Sequence, residues 1–141
     1  MNYVLDSWAL LCLLRGEPGA EKVQKLIDLG RTEKAQLWVS WVNVAEVYCM
    51  TFRKSTENNP RIAALRALNS VTRLPVVIVP AGEQESIHVG ILKSLYPIGI
   101  ADAYAAATAK LQKATVVTGD ADFKVLEEKK EVEILWLKPK Q

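Results

Sequence analysis

Four acidic residues of this 141-residue chain stand among apolar segments. Asp6 closes a short β-prone run, and Asp120 follows the strand-like segment 115–118. Glu46 and Asp102 lie on predicted helices with apolar or small neighbours. A buried, unpaired carboxylate is costly, and oxygen ligands suit hard cations, so the four acids predict a shared Mg²⁺ or Mn²⁺ site. Without a cation the acids repel each other, which predicts pKa values above those of the unfolded chain.

Each acid also has a purely structural interpretation. Asp6 and Asp120 are suitable helix caps, and Asp102 is well placed in a first helical turn. Glu46 fits this alternative least, because its neighbours three and four positions away do not form a solvated face. An aspartate follows each of two predicted strands, and this repetition favours a shared site. A further acid, Asp122, lies two residues after Asp120.

The sequence contains few other catalytic groups. The chain has one histidine, His88. It therefore lacks the pair of histidines that metal-independent RNA cleavage often uses. It has neither a Gly-x-x-x-x-Gly-Lys-Ser/Thr phosphate loop nor a Gly-x-Ser-x-Gly elbow. Carboxylate-bound metal that acts on a phosphodiester is the chemistry that remains, with the number of ions left open.

Predicted strands and helices alternate along the chain. The strands are predicted at residues 2–6, 37–39, 75–79, 115–118 and 132–136. The helices are predicted at residues 8–14, from Glu21 onward, and at residues 42–52, 58–68, 82–95 and 100–111. This order predicts an α/β fold of three layers, in which a central parallel sheet of about five strands is flanked by helices.

Two features of the sheet follow from the same pattern. The segment 75–79 is almost wholly apolar, which predicts a strand buried on both faces. Ligands of open parallel sheets bind outside the carboxyl ends of the strands, where Asp6 and Asp120 are expected.

The composition narrows the class of protein. The chain is 50% hydrophobic with a net charge of +2, which predicts one folded domain over residues 1–141 without a histone-like basic coat. Two cysteines, Cys12 and Cys49, exclude a disulfide framework and a cysteine-only zinc site, and both are predicted to be buried thiols. The longest apolar run, residues 8–14, is too short to span a membrane and follows no basic segment, so a cytoplasmic location is expected.

Four motifs, in order and at suitable spacing, resemble those of PIN-domain ribonucleases, specifically the VapC-type toxins of type II toxin–antitoxin pairs. The resemblance runs nearly end to end. Its motifs are the strand that ends in Asp6, Asn43-Val-Ala-Glu46-Val, Ala101-Asp-Ala-Tyr-Ala-Ala-Ala and Thr118-Gly-Asp-Ala-Asp-Phe123. One departure is visible, because Trp8 stands where the family often has a small polar residue.

The resemblance implies roles for particular residues. Asp6, Glu46, Asp102 and Asp120 would be the catalytic, metal-binding quartet, and Asp122 would be an auxiliary ligand. The hydroxyls of Ser7 and Thr118 would support metal-bound waters. The implied activity is a metal-dependent endoribonuclease that cuts structured RNA at single-stranded positions.

The resemblance also implies partners. A small antitoxin would block the site, and an inserted Arg or Lys would complement four acids that lack metal. A homodimer is expected, with the apolar helices at 42–52 and 62–68 as candidates to pair across a two-fold axis. Arg15, Arg53 and Lys54 offer a modest track for RNA, although scattered solubilising charge is the alternative for each.

Three other functions compete with the toxin interpretation. One is a PIN-type nuclease of RNA maturation without an antitoxin, and another is a catalytically inactive module that binds RNA or protein. A receiver-like signalling domain also gathers acids at strand ends, but it needs a lysine after its last strand, and residues 132–137 contain none.

Overall fold

The computed structural model describes residues 1–138, which form an α/β fold. The five strands in this range are β1 (Asn2–Leu5), β2 (Gln36–Ser40), β3 (Val77–Val79), β4 (Thr115–Thr118) and β5 (Ile134–Trp136). The helices are α1 (Ser7–Arg15), α2 (Ala20–Arg31), α3 (Trp41–Lys54), α4 (Pro60–Thr72), α5 (Glu83–Leu95), α6 (Ile100–Gln112) and α7 (Lys124–Glu128), with a 3₁₀ helix at Ala121–Phe123.

The strands form one parallel sheet in the order β3-β2-β1-β4-β5. Tyr3 of β1 pairs with Leu37 on one side and with Thr115 on the other, so β1 is the central strand. The predicted five-stranded parallel sheet is confirmed. Since β1 and β4 are neighbours, the residues that follow them meet at the same edge.

Helices cover both faces of the sheet, as the three-layer prediction requires. Successive strand residues point to opposite faces, so Val4 packs with one buried cluster and Leu5 with the other. One cluster includes Leu10 of α1 and Ile27 of α2, and the other includes Leu126 of α7. Each of these side chains is fully buried, and their burial stabilises the three layers.

Helix α6 lies against the middle of the sheet. Its alanines at positions 103, 105, 106, 107 and 109 are buried, and small side chains allow this close approach. The helix contacts β1, β2 and β4, and an oxygen of Asp102 in its first turn lies within 4.8 Å of one of Asp120, which follows β4. The alanine-rich sequence thereby delivers the first turn of α6 to the acidic edge.

Side chains at the carboxyl ends of the strands start the next helices. Asp6 caps α1 by accepting the Ala9 backbone N–H, and Ser40 caps α3 by accepting that of Val42. Asp6 is the single residue between β1 and α1, and Ser40 is the last residue of β2, so that α3 follows β2 directly. These short connections fix the first turns of α1 and α3 at the sheet edge.

Two predictions about local structure need correction, and two short helical elements were not predicted. The strand predicted at 75–79 is not buried on both faces, because β3 lies at the edge of the sheet and leaves Val77 exposed. The segment between β4 and β5 contains the 3₁₀ helix and α7, which are too short to give a clear helical period in the sequence. Cys12 is buried as predicted, but Cys49 is only half-buried on α3.

Within residues 1–138, no helix has the length and apolar character needed to cross a membrane.

Candidate metal-binding active site

The hydroxyl of Thr118 connects the ends of β1 and β4. Its Oγ1 donates to Asp6 Oδ2 at 2.5 Å and accepts the backbone N–H of Asp120 at 3.0 Å. Thr118 is fully buried, so solvent does not compete for these hydrogen bonds. One predicted supporting hydroxyl therefore lies between two of the predicted acids.

Asp6 is the most enclosed of the predicted acids, with 2% of its surface exposed. Its Oδ1 accepts the Ala9 N–H at 2.8 Å, so the residue is a helix cap as well as a member of the acidic edge. Burial raises the pKa of Asp6 from 3.8 to about 8, although the hydrogen bonds from Thr118 and Ala9 lower it. The charges of Asp102 and Asp120 raise the pKa further.

Three carboxylates form a compact group among the described residues. One oxygen from each of Asp102, Asp120 and Asp122 lies within 4.8 Å of the other two. Three carboxylate oxygens at this spacing fit a hard divalent cation such as Mg²⁺ or Mn²⁺. The predicted auxiliary ligand Asp122 thus lies in the group, whereas the oxygens of Asp6 are engaged by Thr118 and Ala9.

The backbone positions these three acids at the sheet edge. Asp102 lies in the first turn of α6, and burial together with the charges of Asp120, Glu46 and Asp122 raises its pKa from 3.8 to about 7. Asp120 Oδ1 accepts the Asp122 backbone N–H at 2.9 Å and starts the 3₁₀ helix. This hydrogen bond fixes the turn that brings both carboxylates towards α6.

Glu46 differs from its prediction. The sequence places it among apolar neighbours and predicts an enclosed carboxylate, but in the structure Glu46 is exposed on α3. The apolar neighbours three and four positions away therefore do not enclose its side chain. Its charge still acts on Asp102, whose pKa it raises, so the side chain belongs to the acidic edge.

Asn43 is a further residue of this region, to which the sequence analysis assigned no role. It is fully buried, and its Nδ2 donates to Ser7 Oγ at 2.9 Å and to the backbone oxygen of Ala101 at 3.3 Å. Ser7 in turn donates to the backbone oxygen of Asn43, so its hydroxyl is engaged with α3. These bonds join α1, α3 and α6 next to the acids, and the signal was an asparagine on an apolar helix face three residues before Glu46.

The predicted basic residues lie away from the acids. Arg15 ends α1 nine residues beyond Asp6, roughly 14 Å along a helix. Arg53 and Lys54 lie in the last turn of α3, and all three side chains are exposed. The acids therefore lie at the starts of these helices, and the basic residues lie at their ends.

The fold and the acidic edge define a class of α/β protein with a carboxylate site suited to metal-assisted chemistry on phosphodiesters. Residues 3–129 match the PIN domain, so the chain belongs to the PIN-domain family. This match confirms the family that the four sequence motifs indicated. Among curated protein sequences, none matches this chain significantly.

Solved structures of toxin–antitoxin proteins share the fold. The VapBC2 structure from Rickettsia felis, bound to a promoter DNA fragment, is 18% identical with a TM-score of 0.72 and covers 96% of this chain and 98% of that chain. VapBC-5 from Mycobacterium tuberculosis is 21% identical with a TM-score of 0.62, at 96% and 98% coverage. VapC20 from the same organism, described as a Sarcin-Ricin loop cleaving toxin, is 13% identical with a TM-score of 0.66, at 89% and 94% coverage.

Proposed function

We propose that this protein is a metal-dependent endoribonuclease that acts as the toxin of a toxin–antitoxin pair. The group of Asp102, Asp120 and Asp122 carries the proposal, because three carboxylate oxygens at this spacing can hold a hard divalent cation. Membership of the PIN-domain family supports the same function, as does the likeness to the VapBC structures and to VapC20, the Sarcin-Ricin loop cleaving toxin.

The residues of the site have separable roles in this proposal. Asp102, Asp120 and Asp122 would hold Mg²⁺ or Mn²⁺, which supplies a Lewis acid for the charge that develops on a phosphodiester. Asp6, oriented by Thr118, contributes a carboxyl group next to them, whose ionised form a bound cation would stabilise. Glu46 is exposed at the same edge and is the carboxylate best placed to accept a proton from an attacking water.

RNA cleavage in defined metal provides the test. Purified protein, free of any partner, is incubated with total RNA in EDTA, Mg²⁺ or Mn²⁺. We expect cleavage with either metal and none in EDTA, and at least a hundredfold loss for Asp102→Asn. Asp28→Asn is the matched control, because Asp28 is exposed on α2 and pairs with Gln24. Equal cutting with and without EDTA would contradict the metal mechanism, and RNA binding without cutting would favour an inactive module.

We further propose that a small antitoxin places an Arg or Lys among the carboxylates. A guanidinium can satisfy two carboxylate oxygens at once and can replace a cation electrostatically. Copurification from native cells tests this partner, followed by inhibition assays with its basic residues changed to alanine. Full inhibition by those alanine variants would contradict the inserted charge, and the absence of any small partner would favour the maturation nuclease.

A homodimer completes the proposal, and α5 is its best candidate surface. Ile87, Ile91 and Leu95 recur every fourth residue on this helix and are 50%, 51% and 61% exposed, opposite the buried Val89 and Leu92. A helix with apolar residues on two faces is typical of one that packs against protein on both faces. The sequence instead favoured α3 and α4, which pack against each other but also expose Phe52, Ile62 and Leu65.

The two surfaces can be separated by charge substitutions. Ile91→Glu should convert the protein to a monomer in light scattering at tens of micromolar, roughly the range in which moderate interfaces form. Leu65→Glu on α4, a residue of similar exposure, should leave the dimer intact. The reverse pattern would place the interface on α3 and α4, and a monomeric wild type would contradict the dimer.

A further inference from the structure

Gly119 lies where no side chain fits. It joins Thr118 to Asp120, is buried, and would place an added Cβ 2.4 Å from Trp8 Cη2 and 2.6 Å from Cζ2 and Cζ3. These separations are far below van der Waals contact between carbons. Gly119 is not among the glycines with positive φ, so the reason for a glycine is the space that the indole occupies.

The indole itself is constrained from two directions. Trp8 belongs to the first turn of α1, two residues after Asp6, and its ring is partly buried. Lys138 Nζ lies 5.2 Å from the ring centroid, which is within cation–π distance. The backbone N–H of Leu137 donates to the Thr118 oxygen, so the same stretch of chain also contacts the end of β4.

We propose that Trp8 is a positioning residue for the metal site. Its indole packs on Gly119 and holds the turn that presents Asp120 and Asp122 to Asp102. Such a contact is needed because Asp122 is exposed and the three carboxylates repel each other in the absence of a cation. This role rests on the proposed function, because it presupposes that Asp102, Asp120 and Asp122 bind a cation.

A double-mutant cycle tests the contact. Trp8→Ser, Gly119→Ala and the double variant are compared with wild type by Mn²⁺ titration calorimetry and by urea unfolding in EDTA. Gly119→Ala should lower Mn²⁺ affinity at least tenfold, because the new Cβ and the indole cannot share the space. Trp8→Ser should lower the affinity several-fold, because the turn loses its cover. The double variant should bind Mn²⁺ within threefold of Trp8→Ser, because the clash is gone.

Gly90→Ala is the matched control, because a Cβ at this position on α5 meets nothing within 4 Å. It should leave Mn²⁺ affinity unchanged. An equal effect of Gly119→Ala in the presence and absence of the indole would overturn the proposal. Unchanged Mn²⁺ affinity in Trp8→Ser would overturn it as well.

The two readouts separate this inference from the proposed function. If wild type neither binds Mn²⁺ nor cuts RNA, the proposed function fails. Unfolding in EDTA then still reports whether Trp8 and Gly119 are coupled. Coupling without Mn²⁺ binding would overturn the metal-positioning role, and additive effects on unfolding would overturn the packing contact itself.

Discussion

Thr118 donates its hydroxyl proton to the Asp6 carboxylate across the two adjacent strands β1 and β4, with Oγ1 and Oδ2 2.5 Å apart. The same oxygen accepts the Asp120 N–H, so a single side chain links the Asp6 carboxyl group to the turn that carries Asp120. Because all these atoms are in or next to the buried core, the bonds orient the acids more firmly than exposed ones would.

Removal of this hydroxyl should therefore weaken both the fold and the metal site. Thr118→Val keeps the shape but leaves Asp6 Oδ2 and the Asp120 N–H without this partner. We expect the free energy of unfolding to fall by about 1–3 kcal/mol, the cost of unsatisfied buried groups. Mn²⁺ affinity should fall roughly 10- to 100-fold, as for other partners that orient metal ligands.

Thr108→Val is the control for that experiment. Thr108 is also buried, but it donates to the backbone oxygen of Tyr104 within α6 and does not contact the acids. Its substitution should leave Mn²⁺ affinity unchanged. Equal losses of affinity in the two valine variants would show that the Thr118 hydroxyl has no specific role.

The raised pKa of Asp6 predicts how the metal-free protein responds to pH. Burial raises this pKa from 3.8 to about 8, so the folded state binds a proton that the unfolded state releases. The destabilisation is absent below about pH 4, grows as the pH rises towards 8, and is complete above it. Asp6→Asn removes the charge, and its Oδ1 can still accept the Ala9 N–H.

Urea unfolding in EDTA between pH 4 and pH 9 measures this effect. The variant should gain stability relative to wild type as the pH rises, and the gain should level off above about pH 8. Saturating Mn²⁺ should reduce the difference, because the ion binds and stabilises folded wild type. Parallel pH profiles of unfolding free energy for the two proteins would show that Asp6 does not cause this pH-dependent destabilisation.

Local patterns were sufficient to predict the order of the strands and longer helices along the chain, and the edge at which the acids meet. Asp6 and Asp120 each follow a recognisable strand, and parallel strands put their ends at one edge whatever their order. Strand order itself depends on long-range packing, which is why β3 was wrongly predicted to be buried on both faces. The direction of the pKa shifts was also predictable, but burial contributes more than the mutual repulsion that was invoked.

The environment of Glu46 was not predictable from helical periodicity. Neighbours three and four positions away identify the face on which a residue lies, but they do not tell whether that face packs on protein or is exposed to solvent. Asn43 on the same helix is buried and bonded to Ser7, while Glu46 one turn later is exposed. The change from a buried to an exposed position within one helical turn is set by tertiary packing.

Glu131 should show the opposite pH dependence far from the site. Lys110 donates to it at 2.8 Å and Tyr96 at 2.6 Å, and these bonds lower the pKa of Glu131. The stabilisation is present above the unfolded pKa near 4.5 and is lost as the pH falls. Glu131→Gln should lower Tm by roughly 3–6 °C at pH 7, less at pH 4, and leave Mn²⁺ affinity unchanged. Glu133→Gln, at an exposed position nearby, is the control, and a similar loss in both variants would contradict the network.

The last prediction concerns RNA binding by Arg53 and Lys54 at the end of α3. Their charges lie beyond the acids, so they would bind phosphates at some distance from the cut instead of the reacting group. The double substitution to glutamate should raise KM for long RNA several-fold with little change in kcat, because bound substrate still meets the same acids. The salt dependence of binding should also weaken, by about 0.7 in the logarithmic slope for each phosphate of a single strand that the variant no longer neutralises.

The matched control is the same double substitution to glutamate at Lys129 and Lys130, which are exposed among acidic residues. If both pairs raise KM equally, the effect is one of net charge, and the RNA track at α3 is contradicted.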